Sequence, residues 1–146
     1  MKVRRSVGSL VATALLVGAG LVVAPSSAMA ATCKGSTCEG KDPQSYGCSS
    51  DATTKASFVD GQYFEMRYSK KCNAVWTRVD SSSHYNGLFM QIRTYDLATK
   101  KRKKVYGAQV LEGTHWTKMV EFTGQWAKTC DATWFDADPD TCTAYT

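Results

Sequence analysis

Residues 64–68 read FEMRY and residues 88–93 read LFMQIR, and these two stretches decide the fold. In the first, apolar and charged residues alternate, which is the period-2 pattern of a strand with one buried face. In the second, Leu88, Met90 and Ile92 fall on one face, whereas polar side chains fall on the other. No stretch after residue 30 keeps the apolar spacing of a helix. The two patterns together predict an all-β domain.

Shorter patterns predict further strands within residues 56–122, at 75–79, 105–111 and 115–122. Turn residues that tolerate positive φ separate some of them, at Asp60-Gly61 and Asn86-Gly87. We therefore expect a small sandwich or a partly open barrel.

The two ends of the predicted domain are irregular in sequence. Residues 31–51 are small, polar and rich in glycine and cysteine, which predicts a loop segment pinned by disulfides rather than by a core. Residues 125–146 contain two cysteines and an acidic patch, and the eleven residues between Cys130 and Cys142 are predicted to form a closed hairpin or loop. The sequence shows no internal repeat, so we expect one domain over residues 31–146.

The first thirty residues have the three parts of an export signal. A basic start is followed by an apolar stretch over residues 10–24 and by Ala28-Met29-Ala30, a small-x-small cleavage pattern. The alternative is a membrane anchor, but the apolar stretch is shorter than the roughly 20 residues that a spanning helix needs. We expect cleavage before Ala31, an extracellular protein and no membrane span after processing.

The net charge falls when the leader is removed. The whole chain has 18 Lys and Arg against 13 Asp and Glu, and three of the basic residues lie in the leader. The secreted form would therefore carry 15 basic and 13 acidic residues, a net charge of +2. Five of those basic residues are consecutive, so the protein is a mildly acidic body with one basic spot.

Six cysteines follow the leader, and outside the cytosol they are expected to form disulfides. They permit 15 pairings, and spacing alone does not choose among them. Locality favours Cys130 with Cys142 and suggests Cys38 with Cys48, which leaves Cys33 for Cys72. Since pairing would consume the thiolates, we expect neither a zinc site nor any other cofactor.

One order of short motifs is distinctive. It runs from Cys33 through CEGKDPQ (residues 38–44), Cys48 and DAT (51–53) to EMRYS (65–69), and ends with Cys72-x3-Trp76. This order resembles that of the YjfA-like secreted bacterial proteins, whose domain is designated domain of unknown function 2690. The resemblance covers about the first half of the mature chain and fades after Val79. Neither Cys142 nor the run of basic residues belongs to it.

The resemblance implies a fold neighbourhood and an extracellular location, but no activity. Related domains occur in actinobacterial regulators, on the outer side of a membrane segment. The other end of that segment carries a helix-turn-helix. A module used in that way resembles a binder or a sensor.

The strongest charge feature is the run Lys100, Lys101, Arg102, Lys103 and Lys104. Five adjacent cations are able to contact an anionic polymer such as teichoic acid, nucleic acid or lipid head groups. The alternative is a solvated hairpin tip between strands at 88–97 and 105–111, where strand alternation would divide the charges between two faces. Only two tyrosines flank the run, which is unlike the aromatic interleaving of base-stacking proteins.

Other candidate sites are weaker. Asp136, Asp138 and Asp140 alternate like the start of a calcium loop, but the chain ends before a twelfth position. We expect these residues to form an exposed acidic turn. The alternative is an improvised calcium site that includes Asp131. The two histidines, His84 and His115, have no ligand spacing, and we expect both to be structural or surface residues.

Three sets of residues are of the types used in catalysis or in sugar binding. The sequence Ser81-Ser82-Ser83-His84 contains a nucleophile type and a base, but neighbours in sequence rarely assemble a triad. Three glutamates offer carboxylates whose spacing selects no pair, namely Glu65, Glu112 and Glu121. Three tryptophans are either a sugar-stacking platform or core, namely Trp116, Trp126 and Trp134. We expect the tryptophans to be core residues, and we do not expect the protein to be an enzyme.

The sequence therefore predicts a secreted, monomeric, non-catalytic binding module that acts at the cell envelope or in the medium. Its expected partner is an anionic cell-wall polymer or an extracellular protein. Two alternatives stay open: a diffusible inhibitor or antagonist of an extracellular protein, and a small hydrolase of envelope polymers.

Overall fold

The computed structural model describes residues 30–81, 87–133, 141–144 and 146. The predicted leader, apart from Ala30, lies outside these residues, as do His84, Trp134, Asp136, Asp138 and Asp140. Within the described residues, no helix has the length and hydropathy needed to cross a membrane.

Eight strands form two antiparallel sheets in the described part of the chain. Sheet 1 has the order β1-β2-β3-β6, and β7 also pairs with β3; sheet 2 has the order β5-β4-β8. The strands are β1 Thr53–Asp60, β2 Gln62–Ser69, β3 Ala74–Ser81, β4 Phe89–Asp96, β5 Arg102–Gln109, β6 Gly113–Trp116, β7 Val120–Glu121 and β8 Gln125–Ala132. The two sheets pack face to face without closing into a barrel, so the all-β prediction is confirmed and the architecture is a sandwich.

The core between the sheets follows from the alternation in sequence. Met66 and Val75 of sheet 1 pack against Ile92 and Ala127 of sheet 2, and all four side chains are fully buried. Burial of the three larger side chains, those of Met66, Val75 and Ile92, stabilises the fold by roughly 1.5–3 kcal/mol each. The charged residues that alternate with the apolar ones along β2 consequently point to the other side of sheet 1.

The segment before β1 covers part of that other side, the outer face of sheet 1. It contains two short 3-10 turns, Gly35–Cys38 and Cys48–Asp51. Its cysteines pack with Ala74, Trp76 and Met119 in a second buried cluster. The expectation that disulfides alone pin this segment is therefore wrong, because a small core also holds it.

One predicted disulfide is confirmed and two are wrong. Cys130 and Cys142 are bonded, as predicted, with their Cα atoms 4.1 Å apart. The predicted pairs Cys38–Cys48 and Cys33–Cys72 do not form; the bonds are Cys33–Cys38 and Cys48–Cys72. All six cysteines are paired.

The physical reason is that the four N-terminal cysteines meet at one place. Their sulfur atoms all lie within 4.8 Å of one another. The first 3-10 turn folds Cys38 back on Cys33, with 5.1 Å between their Cα atoms. Cys48 then lies over Cys72, which follows β2 in the turn before β3. Sequence spacing does not discriminate among partners in such a cluster.

The strand predictions differ from the structure in three places. The predicted strand 105–111 begins earlier, at Arg102, so part of the basic run is in β5. The predicted strand 115–122 is divided into β6 and β7. β1 and β8 were not predicted as strands. The disulfide that closes the predicted loop between Cys130 and Cys142 is present, and residues 134–140 of that loop lie outside the described residues.

Candidate functional site

Lys100–Lys104, here called the basic hairpin, lies at the connection between β4 and β5. All five side chains are exposed. Asp96 organises the turn, since its carboxylate accepts hydrogen bonds from the amides of Ala98 and Thr99 at 3.0 and 2.8 Å. Hydrogen bonds from the Thr99 amide and hydroxyl lower the pKa of Asp96. The expected hairpin tip is therefore present.

Strand alternation is interrupted within the basic hairpin. Thr94 pairs with Lys104 and Tyr95 pairs with Arg102, so Lys103 is an extra residue between the two pairs. Such an irregularity bends a strand and turns its side chains. The simple division of charges between two faces, expected from a regular strand, does not apply here.

Few protein groups neutralise the basic hairpin. Among the described residues, Lys104 alone of the five forms an ion pair, with its Nζ 4.0 Å from Glu39 Oε1. The Nζ of Lys100 lies 4.6 Å from the centre of the Trp126 ring. A cation above an aromatic face is attracted to it and keeps its charge. The hairpin therefore presents a concentrated positive charge to the solvent.

A second site, here called the outer cleft, lies where the N-terminal segment leaves the outer face of sheet 1 uncovered. Its volume is about 370 Å³. Arg67, Trp76 and Arg78 line it from β2 and β3, and Trp116 lines it from β6. The opposite wall comes from the loop at residues 44–50.

Strand register brings these side chains together. Arg67 is the cross-strand partner of Trp76, and Arg78 is the partner of Trp116. Residues two apart in a strand share a face, which places Trp76 and Arg78 side by side on β3. Cross-strand partners have Cβ atoms about 4.5–5.5 Å apart.

One buried carboxylate lies between the two arginines. The Arg78 Nε atom lies 2.8 Å from Glu65 Oε2, and Arg67 Nη1 lies 3.4 Å from Glu65 Oε1. The hydroxyl of Thr54 donates a hydrogen bond of 2.6 Å to the same Oε1 atom. Two positive charges and one negative charge leave the group with a net charge of +1.

The two arginines differ in how many of their nitrogen atoms have partners within the protein. Arg67 donates to the Thr54 hydroxyl and to the carbonyl of Ala52, both at 2.7 Å. The terminal nitrogens of Arg78 have no hydrogen-bond partner among the described residues, and its side chain is 37% exposed. Arg67 is therefore a fixed structural group, and Arg78 has donors to offer a ligand.

A hydrogen bond fixes the orientation of Trp116. Its indole N–H donates to Asp42 Oδ2 at 2.8 Å, and the amides of Gln44 and Ser45 donate to Asp42 Oδ1, each at 2.9 Å. Burial raises the pKa of Asp42, but these hydrogen bonds outweigh it and hold the pKa below its usual value. The carboxylate thus connects the loop wall to the indole.

Of the three tryptophans predicted to be either a sugar-stacking platform or core residues, the two that the structure describes do not share a surface. Trp116 lines the outer cleft of sheet 1, whereas Trp126 lies in β8 of sheet 2 beside Lys100. Trp134 is outside the described residues. Sequence reasoning missed the cleft itself; its only signal was two arginines on strands next to tryptophan.

The carboxylates considered for catalysis lie at different levels of sheet 1. Glu65 pairs with Arg78, while Glu121 pairs with Ala74, four residues away along β3 or about 13 Å. Glu112 is exposed and precedes β6. The ring of His115 is hydrogen-bonded to the Glu112 carbonyl at 2.9 Å.

The remaining candidates have structural partners or fall outside the described residues. Ser81 is buried at the end of β3, and Ser82, Ser83 and His84 are not described. Asp131, proposed to join the acidic cluster in a calcium site, accepts a hydrogen bond of 2.6 Å from the Thr141 amide. The sulfur atoms of the four clustered cysteines are bonded in two disulfides, which leaves no thiolate for a metal.

Comparison with known proteins gives one family. A family model described as "Protein of unknown function (DUF2690)" matches residues 36–130, well over half of the chain. The match continues past Val79, where the sequence resemblance ended, and includes the basic hairpin; the YjfA-like label stays a prediction. No curated protein and no solved structure matches the chain. The chain belongs to the DUF2690 family of proteins of unknown function.

Proposed function

We propose that this protein is a secreted, non-catalytic binding module that contacts an anionic polymer of the cell envelope through the basic hairpin. The observation that carries the proposal is the exposure of five consecutive cations, of which only Lys104 is in an ion pair with a described residue. The small cations condensed on a polyanion would be released when the basic hairpin neutralises its charges, and this release favours binding.

Export supports the cellular location in this proposal. The leader sequence predicts passage out of the cytosol, and three disulfides fit an oxidising environment. A small sandwich held by disulfides also suits a protein that meets proteases outside the cell.

Two features favour binding over catalysis. Glu65 is engaged by Arg67, Arg78 and Thr54, so its carboxylate is committed to the sheet. Glu65 and Glu121 lie on strands on opposite sides of β3, and their backbone positions differ by about 13 Å along it, whereas the paired carboxyl groups of glycoside hydrolases are roughly 5–10 Å apart.

The test is co-sedimentation of the protein with purified cell-wall sacculi at low and at high salt. A variant with all five residues of the basic hairpin changed to glutamine is compared with wild type. The matched control has five exposed lysines elsewhere changed to glutamine, namely Lys34, Lys55, Lys70, Lys71 and Lys118. Both variants lose five positive charges, so they differ only in where the charges were.

We expect the wild type and the matched control to sediment at low salt and to be released at high salt. The hairpin variant should stay in the supernatant at both salt concentrations. Equal sedimentation of the two variants would overturn the proposal, since net charge would then explain binding. Absence of sedimentation by wild type would also overturn it and direct attention to a soluble protein target.

A further inference from the structure

The outer cleft has the chemistry of a separate ligand site. Arg78 is held at one end only, where its Nε faces Glu65 at 2.8 Å. Its two terminal nitrogens form a planar fork that matches the two oxygens of a carboxylate. Because the two arginines share the single negative charge of Glu65, the group keeps a net charge of +1, and the fork of Arg78 has no second acidic partner among the described residues.

Trp116 supplies a flat surface directly beside this fork. It is the cross-strand partner of Arg78, and its indole N–H is occupied by Asp42. The ring is therefore fixed in place; part of it packs on the buried cluster under the N-terminal segment, and part of it lines the cleft. The apolar face of a sugar ring packs on such a surface, whereas a small inorganic anion would gain nothing from it.

The loop wall adds hydrogen-bonding groups. The Gln44 side-chain oxygen accepts a hydrogen bond of 2.7 Å from the Ser49 hydroxyl, which orients the amide and leaves its NH₂ group as a donor. The Cys48–Cys72 disulfide ties this loop to the sheet. The cleft volume of about 370 Å³ is at the lower end of the roughly 300–1,000 Å³ of small-ligand sites.

We infer that the outer cleft binds an acidic sugar residue, with the carboxylate on Arg78, the ring on Trp116 and a hydroxyl on Gln44. The carboxylate supplies the charge-assisted contact and the ring supplies the apolar one. This site is distinct from the basic hairpin, and it does not depend on the polymer contact proposed there.

Protein purified from the medium of cells expressing the full chain is titrated with glucuronic acid and with glucose, and binding is followed by amide NMR shifts. A second pair, N-acetylmuramic acid and N-acetylglucosamine, repeats the comparison in a different sugar. In each pair one probe has a carboxylate and the other has none. Inorganic phosphate is the third probe, for a simple anion site.

We expect each acidic sugar to bind about tenfold more tightly than its neutral counterpart, a difference of about 1.4 kcal/mol, because only the acidic sugar forms the charge-assisted contact with Arg78. Arg78→Gln should abolish this preference, and Arg78→Lys should recover only part of it. The control Arg102→Gln, in the basic hairpin, should bind like wild type. If Arg78→Gln does not fold, Gln44→Ala in the exposed loop should weaken both sugars of each pair.

Equal affinity for acidic and neutral sugars, or an unchanged preference in Arg78→Gln, would overturn the inference. Phosphate that competes as well as glucuronic acid would also overturn it in favour of a simple anion site. The five-residue hairpin variant separates the two proposals, because it should lose sedimentation with sacculi and keep sugar binding.

Discussion

Glu65 and Arg78 are direct cross-strand partners on the outer face of sheet 1, with 2.8 Å between Glu65 Oε2 and Arg78 Nε. The same carboxylate also lies 3.4 Å from Arg67 Nη1. One buried acid therefore holds two arginines at the edge of the outer cleft. Arg67 is also held by the Thr54 hydroxyl and the Ala52 carbonyl, whereas Arg78 contacts Glu65 through one nitrogen, and the group keeps a net charge of +1.

Glu65→Gln tests this arrangement. The free energy of unfolding should fall by about 1–3 kcal/mol, because two arginines lose the charge of the carboxylate that they share. Binding of glucuronic acid should strengthen, since the cleft gains one net positive charge. Urea denaturation measures the first effect and NMR titration the second. Glu112→Gln, at an exposed position, is the matched control and should change neither quantity.

The lowered pKa of Asp42 predicts a dependence of stability on pH. A carboxyl whose pKa is lower in the folded state stabilises the fold above its unfolded pKa of about 4. That contribution is lost as the pH falls through the folded pKa. The difference in unfolding free energy between wild type and Asp42→Asn should therefore be largest near neutral pH and should shrink below about pH 4. A difference that is constant across this range would contradict the prediction.

The disulfides should contribute unequally to stability. In the chain-entropy account, a longer closed loop restricts the unfolded chain more. The Cys48–Cys72 bond closes a separation of 24 residues and the Cys33–Cys38 bond one of 5. Replacing Cys48 and Cys72 by serine should lower the free energy of unfolding by about 3 kcal/mol, and replacing Cys33 and Cys38 should lower it by about 2 kcal/mol. Thermal unfolding of the two variants checks the order, and mass spectrometry of unreduced peptides checks the pairing.

Two glycines provide a matched test of how closely the N-terminal segment packs against β5. Gly40 and Gly61 both have a left-handed backbone, with φ of +69° and +62°. A Cβ at Gly40 would lie 3.2 Å from the Tyr106 hydroxyl, whereas none at Gly61 would meet an atom within 4 Å. Gly61→Ala should cost about 1 kcal/mol from backbone strain, and Gly40→Ala about 1 kcal/mol more. Equal costs in chemical denaturation would contradict the close contact.

Alternation in sequence predicted the central strands because one of their faces is buried. Met66 and Ile92 occupy the positions expected of core residues. β1 gave no such signal, since every residue in it is exposed or only half-buried. β8 gave none either, because Cys130, Asp131 and Ala132 are consecutive and all buried.

The sites were predicted unequally for a similar reason. The basic hairpin is continuous in sequence, so its charge is visible without a structure. The outer cleft depends on the register of three strands, which places Arg67 beside Trp76 and Arg78 beside Trp116. The disulfide pairs depend on which of four neighbouring sulfur atoms is nearest, and no spacing encodes that.

The most direct test of the proposed polymer contact compares intact sacculi with sacculi from which the phosphate-bearing teichoic acids have been stripped chemically. The wild-type protein is sedimented with both at low salt. The account predicts binding to the intact wall and loss of most of it after stripping, because the basic hairpin then has no polyanion to contact. Equal binding to intact and stripped walls would contradict the account.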